Sequence, residues 1–208
     1  MTTFKRADLF GGAMTVELPQ NFHDVSDIRQ VPDNQEVYLD KDGFTSIVFD
    51  ILERVERPTT DGSNPDLEAL KYHLSDILSE DIERSKTWTT ATAVLDKLPP
   101  NTPTYTLFAT HESSPETVAR GKAPDFTAIL LVLIRLQAQE TDIVITVNVP
   151  HAPSEYPREE VDPAAGKQGR LLEAAQQYRD RILQTFEIRD WDLLCRNETR
   201  RRGGKEVI

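Results

Sequence analysis

Apolar positions along this chain alternate between a period of two and a period near 3.6, and the changes of period mark its elements. Thr15–Leu18 has the pattern of a short strand stopped by Pro19. The preceding Leu9-Phe10-Gly11-Gly12-Ala13 carries paired glycines suited to a tight turn or bulge. Phe22–Pro32 has no clean period and is expected to be irregular or a short helical turn. Glu36–Leu39 and Ser46–Leu52 read as the two strands of a hairpin, with Asp42-Gly43 supplying positive-φ turn residues. In the second strand Ile47, Phe49 and Ile51 share one face, and Val48, Asp50 and Leu52 the other, so both faces are expected to be covered. A linker over Arg57–Ser63 leads to a helix over Pro65–Arg84. Asn64 is a good N-cap, Pro65 suits the first helical position, and Asp66 and Glu68 complement the positive end of the dipole. Leu67, Leu70, Leu74, Ile77, Leu78 and Ile82 form its apolar stripe.

Beyond the Pro99–Pro103 breaker, strands are expected at Thr104–Thr110, Phe126–Gln137 and Asp142–Val149. The second is almost continuously apolar, as a central strand buried on both faces should be. The third places Ile143, Ile145, Val147 and Val149 on one face and ends at Pro150. A proline-rich loop over Pro150–Pro163 precedes a second helix over Gly166–Glu187, with Leu171, Ala175, Tyr178, Ile182 and Phe186 on its stripe. Hairpin-linked strands with one helix in the middle and one at the end predict an α+β fold. It would be an antiparallel sheet of about six strands with helices packed against it.

The chain has 208 residues, 38% hydrophobic and 28% charged, which fits one globular domain over residues 1–195. Residues 196–208 form a polar, glycine-containing tail expected to be disordered. The longest purely apolar run is the seven residues Ala128–Ile134, against roughly 20 for a membrane-spanning helix. The first ten residues lack the apolar stretch of a secretory signal, and Cys195, the only cysteine, excludes an internal disulfide. A soluble protein of a reducing compartment, acting as a monomer, is the expectation. Net charge is −11, and without the basic tail (Arg196, Arg200, Arg201, Arg202 and Lys205 against two acids) the body carries −14. Such a body repels phosphate backbones, so nucleic acid is not expected as a ligand and a partner with a basic face is. The tail itself reads as a solvated segment or as a nuclear-targeting one.

Catalytic signatures do not appear. There is no phosphate-binding G-x-x-x-x-G-K-[ST], no G-x-G-x-x-G and no G-x-S-x-G. His23, His73, His111 and His151 are scattered without metal-ligand spacing, so neither metal nor cofactor is expected. His73, beside Leu74 on the first helix, reads as a partly buried structural residue, and Cys195 as a small packed one. What stands out is acidic: Asp24, Asp27, Asp33, Glu36, Asp40 and Asp42 lie within one short stretch. Inside it, Pro32 restricts Val31 and Asp33-Asn34 is turn chemistry, which would aim Asp33 and Glu36 outward from a rigid corner before a strand. The plain alternative is a capped turn with solvated acids.

At this corner the sequence resembles the Mog-type Ran guanine-nucleotide release factors. The resemblance rests on an ordered set: Leu9-Phe10-Gly11-Gly12-Ala13, then Val31-Pro32-Asp33-Asn34-Gln35-Glu36-Val37-Tyr38, then Ser46–Glu53, then Leu133–Leu136 with Thr141–Pro150. It implies a fold similar to PsbP-type proteins and a binding protein rather than an enzyme making or breaking bonds. The implied partner is the small GTPase Ran, whose nucleotide release supports nuclear import, with residence in the nucleus and also the cytoplasm. The family's Ran-contacting acids correspond to Asp33 and Glu36, and Asn34 and Gln35 complete that surface. The segment from Arg84 to Lys122 shows little of the family pattern. The rival reading is an escort or scaffold that leaves nucleotide affinity unchanged.

Overall fold

A computed structural model describes residues 2–26, 30–57, 62–121, 123–153 and 155–194. Cys195, the tail 196–208, and Asp27 of the acidic stretch lie outside the described residues. In chain order the strands are β1 (Phe4–Leu9), β2 (Met14–Pro19), β3 (Phe22–Asp24), β4 (Gln35–Asp40), β5 (Ser46–Glu53) and β6 (Ser85–Thr92). They continue as β7 (Thr104–Glu112), β8 (Phe126–Leu136), β9 (Thr141–His151), β10 (Val161–Asp162), β11 (Lys167–Gln168) and β12 (Glu187–Ile188). The α-helices are α1 (Pro65–Leu78), α2 (Pro115–Ala119) and α3 (Gly169–Thr185).

Seven strands make one antiparallel sheet in the order β3-β4-β5-β9-β8-β7-β6, and β1-β2-β12 make a small second one. The central strands explain the layering. On β8, Ala128, Leu130, Val132 and Ile134 join the core under α3 and the small sheet, while Ile129, Leu131 and Leu133 join the core under α1. On β9, Ile143, Ile145, Val147 and Val149 all face the α3 side at 0% exposure, as their alternation predicts. The result is a sheet covered by a helix on each face, an α+β architecture. No helix among the described residues is long and apolar enough to cross a membrane.

Several boundaries differ from the sequence expectation, each for a physical reason. The sheet has seven strands rather than about six, because β3 forms inside the stretch expected to be irregular and β6 forms where a helix was expected to have just ended. Helix α1 stops at Leu78, since Ser79 takes φ 50, and a 3-10 segment carries the chain over Ser79–Arg84. Ile77 falls off the buried stripe and is 41% exposed. Gly43 is not a positive-φ residue; the β4–β5 connection is a wider loop closed by Asp40 N–H donating to the Thr45 carbonyl at 3.0 Å. Pro150 does not end β9 but pairs with Thr127, at a point past the Ser46–Asn148 end of the β5–β9 ladder.

One polar group is sealed between α1 and the sheet. Asp142, 0% exposed, accepts the Val55 N–H at 3.0 Å through Oδ2, which also lies 2.9 Å from His73 Nε2. Its Oδ1 lies 3.0 Å from Arg135 Nε, and Arg135 Nη2 donates to the Val55 carbonyl at 2.8 Å. His73 is therefore fully buried rather than partly so, and it ties α1 to β9.

Candidate functional site

The corner before β4 is built by a turn in which Gln35 N–H donates to the Pro32 carbonyl at 2.9 Å. This puts Asp33 at the tip, exposed, with no partner for its carboxylate among the described residues. Asn34 extends the β4–β5 ladder: Ile51 N–H donates to its carbonyl at 2.9 Å, and its Nδ2 donates to the Ile51 carbonyl at 3.2 Å. Its amide is thereby committed to holding the turn. Gln35 points to the α1 face of the sheet, where its Nε2 donates to Asp50 Oδ1 at 2.7 Å.

Glu36 points the other way, and not outward as the sequence suggests. It is half-buried; one oxygen accepts the Phe10 N–H, and the other accepts the Tyr38 hydroxyl at 3.3 Å. The reason lies in the chain around Phe10. Phe10, Gly11 and Gly12 have φ of 50, 67 and 92, three consecutive left-handed residues. Glycine adopts this region without steric cost; Phe10 does not. An unpaired N–H in such a turn needs an acceptor, and the Glu36 carboxylate supplies it. Burial raises the Glu36 pKa, with Asp24 adding repulsion, while the bonds from Phe10 and Tyr38 pull it back. Burial likewise pushes the Tyr38 phenol up.

These residues meet in a pocket of about 370 Å³ whose walls include Phe10, Gly11, Asp24, Asp33, Glu36 and Leu193. Gln35 also reaches its edge. Asp24 accepts the Ser26 N–H at 2.8 Å. Asp40 and Asp42 are elsewhere: Asp40 holds the β4–β5 loop through the Asn21 amide (2.6 Å) and the Asp42 N–H (2.9 Å). Six residues of extended strand, about 3.3 Å each, separate that loop from the corner. The pocket is thus an acidic rim over an apolar wall. Leu193, 46% exposed, comes from the end of the described chain, and no local pattern announced it; the paired glycines after Phe10 were the only signal for that wall. No group of three or more His, Cys, Asp or Glu that could hold a metal occurs among the described residues.

Three comparisons bear on this geometry. The family model described as Ran-interacting Mog1 protein matches residues 7–150. The nuclear import protein mog1 of Schizosaccharomyces pombe is 31% identical over 148 residues, covering 68% of this chain and 75% of that protein. The nuclear import protein MOG1 of Saccharomyces cerevisiae is 28% identical over 206 residues, covering 92% and 85%. The Ran guanine nucleotide release factor of Danio rerio is 28% identical over 152 residues, covering 68% and 76%. Among solved structures, the Saccharomyces cerevisiae Ran-binding protein Mog1p superimposes with a TM-score of 0.67 at 26% identity, covering 93% of this chain and 99% of that one. A cyanobacterial PsbP from Synechocystis shares the fold at a TM-score of 0.52 and 12% identity, covering 90% and 94%.

Proposed function

The chain belongs to the Ran-interacting Mog1 family, and on that premise we propose that it binds the GTPase Ran through the acidic corner of β4, promotes release of the bound guanine nucleotide and so supports nuclear import. The observation that carries the site is the pocket in which Asp33, Glu36 and Asp24 converge over the Phe10–Gly12 turn. Asp33, exposed and without a partner among the described residues, meets Ran directly. Glu36 holds the turn and lends its charge to the same rim. Asn34 and Gln35 complete the surface by keeping the corner rigid.

Release follows from coupling. If nucleotide and this protein each weaken the other's hold on Ran, the coupling free energy is the same in both directions. A rigid acidic corner supports such antagonism, because carboxylates brought near the cationic groups that hold phosphates compete with the phosphates for them. No bond is made or broken in this scheme. The protein acts as a monomer, through the domain spanning 1–195, in the nucleus and the cytoplasm.

The deciding measurement is the dissociation rate of a fluorescent guanine nucleotide from loaded Ran with and without this protein. Acceleration that is lost in Asp33→Ala supports the reading. Tight binding with an unchanged dissociation rate would leave an escort in its place.

A further inference from the structure

Helix α1 packs against β7 and β8 and leaves part of the sheet beside it open. Between its C-terminal half and strands β5 and β9 lies a recess of about 320 Å³. Asp50 enters it from β5: Oδ1 is bonded by Gln35, and its other oxygen has no partner among the described residues. Asp76 enters from α1, exposed and likewise unpaired among them. Thr146 of β9 lines the floor; it is 2% exposed, and its hydroxyl has no hydrogen-bond partner among the described residues. Val48, Leu52 and Ile77 form apolar walls, His73 lies at the edge, and among the described residues neither lysine nor arginine lines the recess.

A buried hydroxyl left without a partner is costly, and the half-buried Asp50 faces only the ring of His73, whose Nε2 is already held by Asp142. A lysine side chain answers both: its ammonium has three donors and no acceptor, and its methylene stem suits apolar walls. Gln35 borders both this recess and the acidic pocket on the opposite face, so the two sites flank one corner of the sheet. We propose that the recess is a second docking slot for the partner GTPase, receiving one of its lysine side chains against Asp50, Asp76 and Thr146. This rests on the reading of the protein as a Ran-binding factor. The acidic corner and the slot then grip Ran from both sides of β4, which fixes orientation as well as contact.

The test is a titration of purified Ran against the full chain and its variants Asp50→Asn, Asp76→Asn, Thr146→Val and Asp33→Ala. Glu116→Gln on α2, outside both pockets, controls for bulk charge. Asp50→Asn keeps an acceptor for Gln35, and Asp76 is exposed, so both variants should fold, which melting curves verify. Losses of roughly tenfold for Asp50→Asn and Asp76→Asn, a smaller loss for Thr146→Val and none for Glu116→Gln support the slot. Wild-type affinity in the Asp50→Asn/Asp76→Asn double variant, with Asp33→Ala still weakened, overturns the slot and leaves the acidic corner standing. An equal loss in Glu116→Gln also overturns it, in favour of unspecific charge. A wild-type chain that does not bind Ran overturns the underlying reading itself.

Discussion

Asp33 and Glu36 are three residues apart, yet the fold gives them different work. Asp33 is exposed and has no partner among the described residues, so Asp33→Ala is expected to leave the melting temperature unchanged and to weaken Ran binding by about 1.5–3 kcal/mol, the range of a charged hydrogen bond. Glu36 bonds the Phe10 N–H, so Glu36→Ala should lower stability as well, by about 1–3 kcal/mol for the orphaned donor. Glu36→Gln retains an acceptor and should recover most of that stability without recovering the charge. Parallel melting curves and titrations separate the two effects. Asp50 makes a pH prediction. Burial raises its pKa in the folded chain, so between the ordinary carboxylate value and the raised one the native state holds more protons than the unfolded chain. The stability this group contributes therefore falls as pH rises through that window, and the ionised form is destabilising above it. Asp50→Asn should be at least as stable as wild type at neutral pH, with the difference closing as pH falls below the ordinary carboxylate range, read from urea midpoints. The types and spacing of Asp33 and Glu36 were legible in the sequence. The direction of Glu36 was not, because its acceptor role depends on a backbone N–H 26 residues away.

At the scale of elements, the join between α1, β8 and β9 runs through Asp142. Its carboxylate meets His73 from α1, Arg135 from β8 and the Val55 N–H, all in a closed environment. Removing one member of a buried charged group leaves the others uncompensated, so Asp142→Ala should cost about 3–5 kcal/mol in chemical denaturation. The loss should appear as destabilisation of the whole domain rather than as a selective loss of Ran binding. Elements with long, regular patterns were well anticipated. The β8 run and the β9 alternation bury the predicted faces, and the α1 start is capped by Asn64 Oδ1 accepting the Asp66 N–H at 2.9 Å. The short elements escaped. The β3 strand has three residues and β12 two, and each exists because a neighbouring strand offers an unpaired edge. The eight residues of β6 are mostly exposed and polar, so no periodic apolar face marked them.

For the whole molecule, the charge of −11 sets how partners arrive. Long-range attraction to a basic face speeds encounter and is screened within about 10 Å at 0.1 M salt. Raising ionic strength should therefore slow association with Ran by more than it speeds dissociation, as stopped-flow measurements would show. Equal rates at low and high salt would point to an apolar contact, for which Leu193 beside the acidic rim is the candidate.

Local pattern suffices for the architecture in outline: two helices on an antiparallel sheet whose central strand β8 is apolar on both faces. It also located the corner, through a motif of turn residues and acids in a fixed order. Both are local, since side-chain identity and spacing encode which face of an element is buried. Long-range packing turns Glu36 inward to the Phe10 turn, brings Leu193 to the same pocket, and places Asp50, Asp76 and Thr146 in one recess on the other side of the sheet. Each of these joins segments far apart along the chain. What brings them together is strand order and register, β4 beside β5 and β5 beside β9, and no local periodicity carries that information.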